Sequence, residues 1–181
     1  MSLFLATLLP GLLLSLLGAA LLANSPVISS TARALPRSSR AAWLFFGAAA
    51  VWFVWRISRL GESDLIFFQS PRPVMAGFAG LAVLAFIYTP DFLAVRGLCA
   101  LMLLAAEPLL YAAYMEYQHP QRLLMVTEVY VGLALALYLA AAPYRLRDFF
   151  AWLFQQPQRP RVLGGALLLS GLATVATAFT Y

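Results

Sequence analysis

The stretch RLLMVTEVYVGLALALYLAAA, residues 122–142, decides how this chain is read. Between Arg122 at its start and Pro143 just beyond its end it holds one charge, Glu128. A helix rises ~1.5 Å per residue, so a run of this length covers the ~30 Å of hydrocarbon in a bilayer. Apolar residues sit on every side of that helix, which therefore needs a fully apolar surrounding.

Working outward, further apolar stretches flank it on both sides, and nearly every charge falls in the gaps between them. The expected spans are residues 3–23, 41–57, 74–89, 91–115, 122–142 and 162–179. Across the 181 residues 63% are hydrophobic and 10% charged, where a soluble domain has about 25% charged. A soluble protein of this size has too much surface for its volume to hide that apolar content. The expected fold is all-α: one polytopic integral membrane helix bundle over residues 1–181, with six transmembrane helices.

The gaps refine this picture. Residues 26–36 mix Val27, Ile28, Ala32 and Leu35 with polar neighbours, and residues 144–156 set Leu146, Phe149, Phe150, Trp152, Leu153 and Phe154 against Arg145, Arg147 and Asp148. Both read as short helices lying at a membrane interface, in the first and fifth connections. The first span ends at Ala23 before Asn24-Ser25-Pro26, which a cleaved signal peptide would also show. The absence of a positive leading segment and the length of the run favour a retained helix.

All twelve basic residues are arginine. With the Ala/Leu-rich spans, this points to a GC-rich bacterial genome and a bacterial cell (inner) membrane. The first, third and fifth connections hold Arg33, Arg37, Arg40, Arg96, Arg145, Arg147, Arg159 and Arg161, against Arg56, Arg59, Arg72 and Arg122 in the second and fourth. The excess of arginine marks the cytoplasmic side, so both termini are expected to be non-cytoplasmic. Arg33, Arg37, Arg40, Arg145, Arg147 and Arg161 are the expected lipid-headgroup contacts. These arginines flank apolar spans instead of lining a polar face, so no nucleic-acid partner is expected. The partners implied are the lipid bilayer and other membrane-protein subunits or further copies of the chain.

A faint internal repeat relates the first and last hairpins: apolar span, Pro26, interfacial segment, Pro36-Arg37, apolar span, and apolar span, Pro143, interfacial segment, Pro157, Pro160-Arg161, apolar span. Both copies run the same way, as in a parallel repeat. Glu128, Gly132, Pro143 and Arg147, followed by Arg161, Gly164 and Gly171, give the last hairpin, about residues 125–180, a layout that resembles the small two-span YjeT-like bacterial membrane proteins. That group has no established activity, so the resemblance implies a membrane hairpin and no chemistry.

Glu107 and Glu128 are the acids inside apolar spans. Counted from the span ends, they lie about 12 and 9 Å from the same face at ~1.5 Å per residue. On consecutive antiparallel helices they could sit side by side, and like charges that close would share a proton. With Tyr111 and Tyr130 they form the candidate ion or proton site. The competing reading has each acid satisfied separately, by Tyr111, Tyr114, Tyr130 or Arg122, as a packing contact. Pro108 is expected to kink the fourth span.

Other patterns carry no chemistry. Cys99 is the one cysteine and His119 the one histidine, which excludes intrachain disulfides and two-histidine haem ligation. Glu116-x-x-His119 occurs once, at a helix end, and reads as a loop turn. Gly61-Glu62-Ser63-Asp64 lacks the second glycine of a nucleophile turn. Gly77 with Gly80, Gly132 with Ala136, and Gly164 with Gly171 read as sites of close helix packing. No cofactor, metal or catalytic group is implied. The expected function is a non-catalytic accessory, assembly or scaffold component of a membrane complex. The alternative is a small proton- or cation-coupled transporter or channel using Glu107 and Glu128, and a lipid-acting enzyme rests only on the arginine-rich interfacial segments.

Overall fold

The computed structural model describes residues 1–61 and 70–181. Its helices are α1 (Leu3–Ala23), α2 (Pro26–Ala34), α3 (Ser39–Ile57), α4 (Arg72–Tyr88), α5 (Leu93–Ala113), α6 (Arg122–Ala141), α7 (Tyr144–Leu153) and α8 (Gln158–Ala178), with one 3-10 turn at Leu35–Arg37. No strand occurs among the described residues. Five helices, α1, α3, α5, α6 and α8, are long and apolar enough to cross a membrane. The sixth apolar helix, α4, has 17 residues, or ~25 Å at the usual rise. The Glu62-Ser63-Asp64 part of the glycine-led motif and the apolar Leu65–Phe68 run lie outside the described residues.

Local chemistry sets most boundaries. The Ser2, Ser25 and Ser38 hydroxyls accept from the amides of Leu5, Ile28 and Ala41, capping α1, α2 and α3, as short hydroxyl side chains do best. Asn24, at φ 41°, takes the left-handed conformation that stops α1. Most span boundaries lie within two residues of the expected ones, and two differ for a specific physical reason. The sequence places the start of the fourth span at Asp91, whose carboxylate would favour a helix N-terminus. Instead the Thr89–Phe92 turn carries Phe92 at φ 57°, and α5 begins at Leu93 with no side-chain cap. The last helix begins at Gln158, earlier than residue 162. Pro160 falls in its first turn, where the missing N–H removes no helical hydrogen bond.

Glycines set how these helices pack. In α1 and α8, Gly11 and Gly18 meet Gly171 and Gly164 along an antiparallel contact. A Cβ at Gly164 would stand 2.7 Å from the Leu22 amide nitrogen, and one at Gly171 2.5 Å from that of Ser15. Backbone is in the way, so only glycine fits. Gly97 does the same for α3 and α5, where a Cβ would run into the Phe46 backbone. Phe46 with Gly97 and Arg56 with Glu107 are both offset by 51 residues, so α3 and α5 run parallel in constant register. Not every small pair is used: a Cβ at Gly77 or Gly80 meets nothing within 4 Å, and one at Gly132 meets only the Met102 methyl at 3.5 Å. Ala136, expected as a partner of Gly132 in one contact, is fully buried beside Val95 and Cys99.

The remaining helices follow. Met125 and Val129 of α6 pack on Ala106 and Ala113 of α5 and on Ala6 of α1. Trp43 stacks on Phe86 with centroids 4.4 Å apart, and Phe53 meets Phe78 edge-on at 5.0 Å, so α4 returns antiparallel along α3. No residue of α4 is buried.

The connections gather at two ends. Arg33 donates to the Phe154 carbonyl at 2.9 Å, Asn24 to that of Pro157 at 3.4 Å, and Arg37 lies over the Phe92 ring at 5.6 Å. The first, third and fifth connections therefore share one end. At the other, Thr7 donates to the Tyr181 hydroxyl at 3.2 Å, and the His119 ring lies edge-on to Tyr181 at 5.2 Å.

A Gly97→Val substitution is expected to destabilise the bundle by about 3 kcal/mol or more, the upper range for overpacking. Gly77→Ala should instead gain up to ~1 kcal/mol from helix propensity. Unfolding midpoints in mild detergent would report both.

Candidate functional site

The two acids in the apolar helices come from neighbouring helices yet take different partners. Ala106 and Val129 form part of the contact between α5 and α6. Glu107 and Glu128 each lie one residue away, ~100° around their helices, so neither points into that contact. Glu107 turns to α3 and pairs with the Arg56 guanidinium, which reaches both carboxylate oxygens. The pair stands on an open flank, with side chains 45% and 58% exposed.

Glu128 turns the other way, to α8. Its Oε1 accepts from the Ser170 hydroxyl at 2.6 Å and from the Thr174 hydroxyl at 2.7 Å. Thr174 is fully buried, and its hydroxyl also lies 3.1 Å from the Ser170 carbonyl. The second oxygen, Oε2, is buried, and no protein group among the described residues hydrogen-bonds to it. Glu128 also forms part of the wall of a groove of about 380 Å³ between α1, α5 and α6, which Trp52 of α3 also lines. Glu107 does not line this groove.

The other candidate residues fall elsewhere. Tyr111 is 77% exposed and stacks with Tyr114 at 6.5 Å. Tyr130 is exposed as well, and the hydroxyl donors to Glu128 come from α8. Arg122 donates to the Ala113 carbonyl, closing the loop between α5 and α6, and lies over the Tyr117 ring at 4.9 Å. The separate partners are thus Arg56, Ser170 and Thr174, none of them among the partners expected from sequence. Arg56 had a legible signal, since a cation at a helix end can fold back over apolar surface. Ser170 and Thr174 had none, because serine and threonine are ordinary in apolar helices.

The six arginines expected at headgroups all lie on the end that carries the first and fifth connections. Arg33 also sits 5.7 Å over the Phe154 ring, Arg145 5.6 Å over Tyr144, and Arg147 pairs with Asp148 at 2.7 Å. Arg37, Arg40 and Arg161 are exposed, the last two in the first turns of α3 and α8. A second, polar recess of about 280 Å³ lies here, walled by Asn24, Ser29, Arg33, Phe154 and Gln156. The His119 amide donates to the Glu116 carbonyl at 3.2 Å, making that pair a turn. Among the described residues no three His, Cys, Asp or Glu side chains lie together as metal ligands.

Two substitution sets separate these contacts. The Arg56→Met and Glu107→Met double substitution is expected to destabilise by about 1 kcal/mol less than the sum of the two single substitutions, the top of the range for an open pair. Ser170→Ala with Thr174→Val should cost ~1–3 kcal/mol by leaving Glu128 without donors. Unfolding in mild detergent measures each.

Compared with known protein families, with characterised proteins and with solved structures, the chain matches none.

Proposed function

We propose that this chain is a polytopic integral membrane protein with six transmembrane helices, serving as a non-catalytic accessory, assembly or scaffold component of a membrane complex. One observation carries the functional half: each intramembrane acid is held by its own protein partners, Glu107 by Arg56 and Glu128 by Ser170 and Thr174. A shared-proton or cation site needs both carboxylates at one wet cavity. Acids that fix helix packing need local donors, and local donors are what surround these two.

The bilayer half is supported by length, apolarity and surface. Leu13, Leu16, Val51, Leu81, Leu137 and Leu169 are among many large apolar side chains exposed on the flanks, an arrangement that water penalises and lipid does not. Though short, α4 can cross with local thinning of the bilayer. Packing of α1 on α8 through Gly11 and Gly18 supports its retention as a transmembrane helix. The resemblance of the last hairpin to YjeT-like proteins supports the same membrane reading. In this arrangement the arginine-rich end faces the cytoplasm of a bacterial cell, and both termini face the opposite side of its inner membrane.

Extraction of natively expressed protein in mild detergent is expected to yield a larger stoichiometric complex, read by native gel and mass spectrometry. A lone monomer would overturn the accessory role. Alkaline phosphatase fused after Tyr181 should be active and fused within the Arg145–Arg161 connection inactive; the reverse would invert the topology.

A further inference from the structure

The groove between α1, α5 and α6 is the place where the structure leaves a polar atom unmatched inside an apolar wall. Leu9, Leu13, Leu14, Met102, Leu109 and Leu133 supply most of its surface. Glu128 is the one lining residue with an ionisable side chain, and Trp52 and Met1 also line the groove. Pro10 and Pro108, one from each flanking helix, also line it. Leu9 and Leu13 are also exposed on the outer flank, at 53% and 58%, so the groove opens sideways from the bundle. Its volume of about 380 Å³ lies in the range of small-molecule sites, ~300–1,000 Å³.

We infer that this groove binds an apolar molecule bearing a single terminal hydroxyl, a membrane-soluble alcohol or phenol, and that the hydroxyl hydrogen-bonds the Glu128 carboxyl at Oε2. The choice of head group follows from hydrogen-bond counting. Oε1 is already occupied by Ser170 and Thr174. Oε2 accepts when the carboxyl is ionised and donates when it is protonated, and a hydroxyl can serve either state. An ammonium brings three donors to a wall that offers one free partner, and its unmatched N–H groups would be desolvated at a cost. An ether or ester can only accept. Because Oε2 is enclosed in the free protein, the Glu128 side chain turns toward the groove as the hydroxyl arrives. The tail lies along the leucines and leaves through the lateral opening into the surrounding lipid. The inference rests on the bilayer reading, because the ligand is expected to enter sideways from hydrocarbon.

The test uses the full chain in lipid nanodiscs and hexadecan-1-ol carrying a mid-chain diazirine. After irradiation, mass spectrometry maps the label. Labelling is expected on peptides of α1, α5 and α6 that contain Leu13, Met102 and Leu133. Hexadecan-1-ol should suppress it at a concentration about fivefold or more lower than hexadecyl methyl ether, which has no donor, a ratio equal to the worth of one hydrogen bond. Glu128→Leu should lower labelling to the same degree. Gly132→Leu, which fills the groove and keeps the carboxyl, should do likewise. Equal competition by alcohol and ether, or undiminished labelling of Glu128→Leu, would overturn the inference. The competition arm needs no variant and so does not depend on any substitution folding. Release of the protein from membranes by alkaline carbonate would instead overturn the bilayer reading itself, whereas unselective labelling of an embedded protein would leave that reading standing.

Discussion

Close approach of helix backbones is the constraint on which the rest of this structure depends. Where apolar side chains already face an apolar surrounding, burying them against one another gains little, and association rests on contact density and interhelical hydrogen bonds. Gly11, Gly18, Gly164 and Gly171 bring α1 and α8 to backbone contact, and Gly97 brings α5 onto α3 at Phe46. Each pair is locked because one side is main chain, which cannot move aside as a flexible side chain can. These two contacts tie the first helix to the last and set the parallel register of α3 and α5. That register is what brings Arg56, near the end of α3, to the level of Glu107.

The polar groups then divide between the two tightly packed helix pairs. Glu107 reinforces the α3–α5 pair through Arg56, whereas Glu128 reaches from α6 to Ser170 and Thr174 of α8 and so helps join the α1–α8 pair to the remaining helices. Breaking either leaves an uncompensated polar group in an apolar setting, which is why acids in such helices are held by partners. The groove at Glu128 lies along the seam between these units, where α1 meets α5 and α6 less intimately than it meets α8.

What could be read from the chain without coordinates follows from periodicity and from end chemistry. The stretch at residues 122–142 and its counterparts are helical because runs of this length and apolarity have no other way to satisfy their backbone, and the observed helices lie within a few residues of the expected spans. Pro26 and Pro143, which the sequence places just beyond the first and fifth spans, do stand at the start of α2 and immediately before α7. The exceptions are equally local: Phe92 at positive φ closes a turn that a carboxylate at Asp91 was expected to cap.

The sequence by itself determined the all-α class that the described residues show, where those helices run to within a few residues, and which connections carry the positive charge. It also singled out Glu107 and Glu128, because an acid in an apolar run stands out without any knowledge of neighbours. Only the tertiary structure decided their partners. A turn of ~100° per residue separates Ala106 from Glu107 and Val129 from Glu128, so which residue faces the neighbouring helix sends the two acids apart. The helix contacts that make this choice join residues as distant in sequence as Gly11 and Gly171, and a local pair such as Gly164 with Gly171 marks a close contact without naming its partner.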